Sequence, residues 1–197
     1  LIAIVLAYQG MQQLRQFGAE IFTINMVAIS VLREMGVLLT AIMVAGRSGS
    51  AFTAEIGVMQ VNEEVDAMRV MGLDPFEILV LPRLLALVIA LPILTLIADL
   101  MGLFGGALIS YSLMDISLTQ YLDHFQRAAK VKDFWVGMVK APVFAFLISI
   151  VGCMRGMQVS GSAESVGKLT TASVVASIFL VLLADALFSI MFAKMGI

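Results

Sequence analysis

A strongly charged run lies between Asn62 and Met71. Apolar residues recur there at helical spacing and share one face of a predicted helix, while the charged side chains fall elsewhere. The residues of this face are Val61, Val65, Met68 and either Met71 or Gly72. A helix of about ten residues with this much charge is too short and too polar to cross a bilayer. It is interpreted either as a solvated surface helix or as a helix that docks on a partner and passes motion to its neighbours.

Both ends of this helix are marked by residue type. Asn62 is a good capping residue for a helix N-terminus, and Glu63 and Glu64 suit the positive end of the helix dipole. Gly72 and the Asp-Pro pair that ends at Pro75 predict where the helix stops. The segment is therefore predicted to be a helix with defined ends.

A second unusual segment, Ala45–Gly57, carries two ionisable side chains in or at the end of an apolar run. Arg47 and Glu55 would lie within a span or at its end, where charges are costly and need partners. Small residues such as Gly49 and Ser50 let another helix approach closely. Two interpretations stay open: a packing seam with two snorkelling charges, or a hinge or gate at the mouth of a transport path.

Other charges lie close to or inside the apolar runs. Arg33 and Glu34 precede a long apolar stretch and fit either an interfacial anchor or an ionic contact beside a headgroup site. Asp99 and Asp185 lie deepest in apolar stretches. An acid inside a membrane is by default a functional hypothesis, here a proton relay, and a hydrogen bond to a neighbouring helix is the structural alternative.

The composition places these segments in a membrane protein. The chain has 197 residues, of which 61% are hydrophobic and 13% are charged, and its mean hydropathy is +1.04. Soluble domains carry about 45–50% apolar and about 25% charged residues, so this composition argues against a soluble globule. The high apolar content excludes a disordered chain. The net charge of -2 gives no indication of a nucleic-acid partner. One cysteine and one histidine argue against a disulfide framework and a multi-histidine metal site.

A spanning helix needs about 20 mostly apolar residues, and four stretches qualify. They are Gly36–Met59, Leu84–Ser110, Phe134–Met154 and Thr171–Phe192. The apolar run Leu1–Tyr8 has no basic region before it and is expected to be the tail of a further helix, in a chain that has lost its N-terminus. The predicted fold class is an all-α polytopic transmembrane helical bundle, and residues 1–197 are expected to form a single transmembrane domain.

The polar connections bear on the orientation of the spans. Arg155–Thr170 is rich in Gly, Ser and Thr and is predicted to be a flexible connection. Strict alternation puts it on the same side as the loop Val61–Arg83, and that side has fewer basic residues, so the positive-inside rule places the loop outside by a small margin. The residues compared are Arg47, Arg69, Arg83, Arg155 and Lys168 on the loop side, and Arg15, Arg33, Arg127, Lys130, Lys132, Lys140 and Lys194 on the other.

The N-terminal segment is amphipathic. Leu6, Gly10, Leu14, Phe17 and Ile21 recur at helical spacing, while glutamines and charged residues occupy the other faces. The stripe is interpreted as core packing or as the lining for an apolar ligand.

Motifs for catalysis are missing from the sequence. It contains neither a Gly-x-x-x-x-Gly-Lys-Ser/Thr phosphate loop nor a Gly-x-Ser-x-Gly elbow. The chain is therefore predicted not to be an enzyme and to hold no cofactor of its own.

A series of motifs resembles the MlaE (YrbE) family of ABC-transporter permeases, and the resemblance covers essentially the whole chain. The motifs read Leu32-Arg-Glu-Met-Gly36, Ala45-Gly-Arg-Ser-Gly-Ser-Ala-Phe-Thr-Ala-Glu-Ile-Gly-Val-Met59, Glu63-Glu-Val-Asp-Ala-Met68, Met71-Gly-Leu-Asp-Pro75, Leu81-Pro-Arg83, Gly161–Val166 with Gly167, Thr170-Thr171 and Asp185-Ala-Leu187.

The resemblance implies a permease of the bacterial inner membrane that works as a homodimer. Two cytoplasmic ABC ATPase subunits would bind ATP and Mg²⁺, a periplasmic MCE-domain protein would sit above the permease, and a STAS-domain subunit often joins the ATPase. Family members move phospholipids between the inner membrane and the periplasmic carrier, which maintains outer-membrane lipid asymmetry. They have five spans and an N-terminal interfacial helix, and the loop Val61–Arg83 would be cytoplasmic.

Residues are assigned from this resemblance by position. The coupling helix that contacts the ATPase comprises Asn62, Glu63, Glu64, Asp66, Met68, Arg69 and Met71. The lipid pocket is matched by Leu6, Gly10, Gln13, Leu14 and Phe17, with Arg33 and Glu34 close to it. Arg47, Ser50 and Glu55 stay candidates for a gate or packing seam. The family commonly has Glu-Gln where this chain has Glu63-Glu64, and the best-known member has an apolar residue at the place of Gln13.

Two other functions are kept as alternatives. The first is a proton-coupled carrier of lipids or hydrophobic solutes that uses Asp99, Asp185 or His124. The second is a structural membrane anchor for an ATPase.

Overall fold

Helices dominate this chain because a backbone inside a bilayer must satisfy its hydrogen bonds within its own segment. The computed structural model describes residues 2–16, 22–114 and 116–196, which contain nine α-helices and three π-helical turns. The α-helices are α1 (Ile2–Arg15), α2 (Phe22–Ser30), α3 (Gly36–Val44), α4 (Ser50–Val61), α5 (Glu64–Val70), α6 (Leu81–Met114), α7 (Leu118–Ala128), α8 (Val131–Met157) and α9 (Ala163–Lys194). The π-helical turns are Val31–Met35, Ala45–Gly49 and Phe76–Val80.

The described residues contain four helical segments that are long and apolar enough to cross a membrane. They are Phe22–Val61, Phe76–Ser112, Val131–Met157 and Ala163–Lys194. The all-α class and the four predicted spans are thus confirmed, although each span is longer than predicted. The first begins at Phe22 and not at Gly36, because Arg33 and Glu34 lie inside the helix instead of before it.

The last span also begins earlier than predicted. The hydroxyl of Ser162 accepts a hydrogen bond from the backbone N–H of Ser165 at 3.4 Å, which caps the start of α9. The connection between α8 and α9 is therefore much shorter than the predicted flexible segment Arg155–Thr170.

The polar segment after the second span contains a helix that the sequence reading missed. Ser117 and Gln120 form a capping box, in which each side chain bonds the backbone N–H of the other. The hydroxyl of Tyr121 donates to the carbonyl of Leu103 at 3.0 Å. Burial raises the pKa of the Tyr121 phenol. Together these contacts define α7 as a helix packed on the end of the second span.

Backbone contacts divide the chain into two compact units. The first comprises Leu1–Val37 and Ile93–Val139, and the second comprises Leu38–Pro92 and Lys140–Gly196. The helices α3, α6 and α8 each contribute residues to both units. The single transmembrane domain expected from the sequence stays a prediction.

In the first unit, α1 and α7 pack on α2. Ala7, Val27 and Val31 form a buried cluster, and Ile109 of α6 packs against it. Gly102 lets α6 approach closely, because a Cβ at this position would lie 2.6 Å from Cγ1 of Val31. Apolar packing therefore holds α1 and α6 on the first span.

In the second unit, α8 crosses α4 closely at two glycines. Gly152 faces the backbone of Gly49, and a Cβ at Gly156 would lie 2.7 Å from Cβ of Ile56. The hydroxyl of Thr53 donates to the carbonyl of Gly152 at 2.9 Å. The two glycines thus permit a close helix contact that a hydrogen bond reinforces.

Replacement of Gly156 by alanine should destabilise the protein by about 1–3 kcal/mol, because the added methyl group clashes with Ile56 in a packed interface. Gly167→Ala is the matched control: a Cβ there meets no described heavy atom within 4 Å, and alanine favours a helix over glycine by up to about 1 kcal/mol. Thermal unfolding in the same detergent measures both variants. Equal Tm values for the two would contradict the close crossing.

Candidate functional site

The helix α5 lies between the first and second spans and is anchored by its apolar face. Val65 is 1% exposed and belongs to a buried cluster with Ile56, Leu79 and other apolar residues, among them Val80 and Cys153. Met68 is half-buried and packs against the same cluster. The helix predicted from the sequence is present, and Val65 and Met68 lie on one face of it as the spacing predicted.

The start of α5 differs from the prediction. The residue that precedes the helix is Glu63, whose φ of 59° is left-handed, and its side chain makes no capping hydrogen bond. Asn62 instead donates from Nδ2 to Oε1 of Glu64 at 3.1 Å. Asn62 is therefore not the N-cap, because α5 begins one residue later than that role requires. The backbone of Glu63 makes a sharp turn between α4 and α5.

The end of α5 is as predicted. The N–H of Gly72 donates to the carbonyl of Arg69 at 3.0 Å, and the N–H of Leu73 donates to the carbonyl of Met68 at 3.0 Å. This pair of bonds needs a residue with positive φ, and Gly72 has a φ of 77°. Asp74 then accepts from the N–H of Phe76 at 2.9 Å, so the next helical segment starts at once.

The outer surface of α5 combines apolar and acidic side chains. Val70 is 88% exposed and Met71 is 66% exposed, so Met71, which the spacing offered together with Gly72 as the last member of the apolar face, does not share the burial of Val65. The turn at Gly72 reverses the chain there and leaves Met71 outside. Arg69 pairs with Asp66 at 3.1 Å. The exposed acids around this apolar tip are Glu63, Glu64, Asp66, Asp74 and Glu77.

The three candidates for a gate or packing seam have separate surroundings in the second unit. Arg47 is exposed and lies in the π-helical turn Ala45–Gly49. The hydroxyl of Ser50 donates to the carbonyl of Gly46 at 2.6 Å, a contact within its own helix. Glu55 pairs with Arg83 at 3.0 Å. A role as a gate stays a prediction for all three residues.

A buried ion pair lies where the sequence reading assumed a loop charge. Nζ of Lys140 lies 2.9 Å from Oδ1 of Asp185, and the two side chains are 0% and 14% exposed. Lys140 is therefore inside the bundle and does not belong in a comparison of loop charges. Asp185 is engaged by a cation, which fits the structural alternative given for it above.

The α1 candidates lie on more than one side of that helix. Gly10 is buried against α2, because a Cβ there would lie 2.6 Å from Cε of Met26. Leu6 and Leu14 are half-buried, and Gln13 is exposed. Phe17 lies outside the described residues. The described apolar members therefore serve packing on the first span at least in part, and Gln13 stands on the exposed side.

The pair Arg33 and Glu34 lies in the first π-helical turn, Val31–Met35. Nε of Arg33 is 4.0 Å from the Glu34 carboxylate, and its Nη1 is 3.7 Å from Oδ1 of Asp133. Asp99 is 3% exposed and faces Gly36, which follows the turn. Within the described part of the chain, Oδ1 of Asp99 has no hydrogen-bond partner. This turn thus gathers several ionisable groups in the first unit.

π-Helical turns are unusual inside helices and are frequent at functional sites. Two of the three lie at the charged positions that the sequence singled out, Arg33-Glu34 and Arg47. The described lipid-pocket candidates belong to the first unit, and the ATPase-coupling candidates belong to the second. The structure therefore gathers each predicted set within its own unit.

Long apolar helices joined by short polar segments define a polytopic α-helical membrane protein. Residues 1–191 match the family described as Permease MlaE, and the chain belongs to that family. It is thus a multi-pass membrane protein and an ABC-transporter permease, and the resemblance seen in its motifs is confirmed.

Individual relatives support this assignment. The chain is 40% identical over 190 residues to a probable ABC transporter permease protein of Rickettsia felis, covering 96% of this chain and 73% of that protein. It is 34% identical to the intermembrane phospholipid transport system permease protein MlaE of Haemophilus influenzae, covering 93% and 71%. It is 36% identical to the chloroplastic protein TRIGALACTOSYLDIACYLGLYCEROL 1 of Arabidopsis thaliana, covering 97% and 55%.

Lys140→Met should lower the free energy of unfolding by about 3–5 kcal/mol, because it removes the cation that offsets the charge of Asp185 in a low-dielectric site. The double variant with Asp185→Leu should recover most of that loss, since both charges are then gone. Thermal or detergent unfolding measures the three proteins side by side. A single variant as stable as the wild type would contradict the buried pair.

Proposed function

We propose that this chain is the membrane subunit of an ATP-driven transporter that moves phospholipids between the bacterial inner membrane and a periplasmic MCE carrier. Two copies form the permease, and a cytoplasmic ABC ATPase, which binds ATP and Mg²⁺, drives it. A STAS-domain subunit accompanies the ATPase, and the transport maintains outer-membrane lipid asymmetry. The single observation that carries the proposal is α5, a short charged helix that is anchored in the bundle yet exposes an apolar tip.

The anchoring of α5 supports its role in coupling. A helix of 7 residues is too short to be stable by itself in water. Val65 and Met68 instead fix it on a cluster to which α4, the turn Phe76–Val80 and α8 all contribute. Because these elements belong to three different spans, a displacement of α5 acts on several spans at once.

The exposed side of α5 indicates the chemistry of its partner. Val70 and Met71 would bury apolar area in a groove, and such burial stabilises an interface by about 25 cal/mol per Å². The surrounding acids outnumber the single Arg69 in this segment. A matching groove on the ATPase therefore has an apolar floor and a basic rim.

The lipid path would follow α1 and the first π-helical turn. Moving an acyl chain into water costs about 0.8 kcal/mol per CH₂, so the path must stay apolar. Ile2 and Val5 are about half exposed on α1, and a second copy of the chain would cover them. Arg33 and Glu34 would meet the headgroup, because a guanidinium binds phosphate oxygens well.

The coupling role requires α5 to be cytoplasmic. The count of basic residues had favoured the opposite side by a small margin. Lys140 no longer belongs in that count, because it is buried and paired with Asp185. The remaining difference carries little information, so the proposal adopts the orientation that the resemblance to the family implies, with α5 in the cytoplasm.

The contacts of the acidic candidates weigh against a proton-coupled carrier. Asp185 is held by Lys140, and His124 lies on α7, outside the four spans of the described residues. Asp99 stays a candidate for protonation. ATP-dependent phospholipid transfer between liposomes distinguishes the proposed transporter from a carrier and from a structural anchor.

Val70→Asp should weaken binding of the ATPase about tenfold or more, because a charge would have to be desolvated in an apolar groove. ATP-dependent phospholipid transfer should fall with it. Val131→Asp is the matched control: this valine is 75% exposed and begins α8, where an acid suits the helix dipole. ATPase binding that is equal in the two variants would refute the docking role of α5.

A further inference from the structure

An ion pair joins the two helices that flank α5. Arg83 lies in the first turn of α6 and Glu55 lies in α4, and Nη2 of Arg83 is 3.0 Å from Oε2 of Glu55. The pair links residues 28 positions apart, and α5 lies between them in sequence. We call this contact the Arg83–Glu55 brace. It ties together the two ends of the segment that carries α5.

Arg83 is held in place by two further contacts. Its Nη1 donates to the carbonyl of Leu79 at 3.3 Å. Its guanidinium carbon lies 5.9 Å from the centroid of the Phe52 ring, within the range of a cation–π interaction. The Arg83 side chain is 21% exposed, against 60% for Glu55. Arg83 is therefore the more fixed partner, and Glu55 meets it from the exposed side of the pair.

Stability is not what this brace mainly provides. The acid of this pair is 60% exposed, so the pair contributes less to the free energy of unfolding than a fully buried pair such as Lys140–Asp185. The buried cluster of Val65, Ile56 and Leu79 already holds this part of the fold. The brace fixes the distance between α4 and the start of α6, because a charge-assisted hydrogen bond is directional and apolar packing is not.

We propose that Arg83 and Glu55 are positioning residues for energy coupling. They keep α4 and α6 at one separation, so that a displacement of α5 moves both spans together. The proposal rests on the proposed function, since it takes the ATPase to be what displaces α5. Without the brace, a displacement of α5 moves α4 and the start of α6 apart instead of moving both spans together. ATP is then hydrolysed without a matching movement of the spans.

The test uses the whole transporter in proteoliposomes, with ATP hydrolysis and phospholipid transfer measured on the same samples. Glu55→Gln and Arg83→Gln should each raise the ATP hydrolysed per lipid transferred about threefold or more, with little change in Tm. Wild-type ratios of ATP hydrolysed to lipid transferred in both single variants would overturn the proposal.

A second measurement reads the spacing of the helices without using activity. Spin labels at Ala51 and Ala86, which are both exposed, report the separation of α4 and α6 by electron paramagnetic resonance, with Cys153 replaced by alanine. The distance distribution should be narrow with the brace and broader with Glu55→Gln. An unchanged width would overturn the proposal.

Arg155→Gln is the matched control for the loss of a cation. Arg155 lies near the end of α8 and donates from Nη1 to Oε1 of Gln158 at 3.1 Å, with no role in the brace. The Arg155→Gln variant should hydrolyse as much ATP per lipid transferred as the wild type. A rise as large as that of Arg83→Gln would count against the brace.

Val70→Asp distinguishes a failure of the proposed function from a failure of the brace. If this variant still binds the ATPase as the wild type does, the proposed function fails. If it releases the ATPase while both brace variants keep wild-type ratios, the brace alone fails.

Discussion

The burial of Val65 is the interaction on which the rest of the account depends. This side chain is 1% exposed, and a valine buried to that extent contributes about 1.5–3 kcal/mol. It turns a short polar helix into part of the bundle and fixes which of its sides faces outward. Val70 and the acids around it owe their exposure to that anchoring. The helix α5 is thus fixed to the bundle through Val65 and exposes Val70 for contact with a partner.

Charge compensation between helices is the second organising feature. Lys140 meets Asp185, Arg33 meets Asp133, and Arg83 meets Glu55. Each contact joins residues that are far apart in the sequence. Charges in or beside apolar segments are expensive unless they are paired, so every such pair also restricts how its two helices can move. The ionic contacts therefore bear on motion as well as on stability.

The sequence predicted the spans and the helix α5 because their signals are local. Continuous apolar runs mark the spans, and Gly72 marks the end of α5. Features that depend on residues distant in the sequence could not be predicted. Lys140 was counted as a loop charge because no residue near it in the sequence indicates its pairing with Asp185. Met71 was misplaced because helical spacing stops applying where the chain reverses. The helix α7 was missed although its capping box, Ser117 and Gln120, was available as a signal.

The most direct test of the central claim is site-specific photo-crosslinking from position 71 in membranes that contain the whole transporter. A photoreactive amino acid there lies at the exposed tip of α5. The account predicts an adduct with the ATPase subunit that disappears when the ATPase is omitted. An adduct with a periplasmic protein, with none to the ATPase, would contradict it.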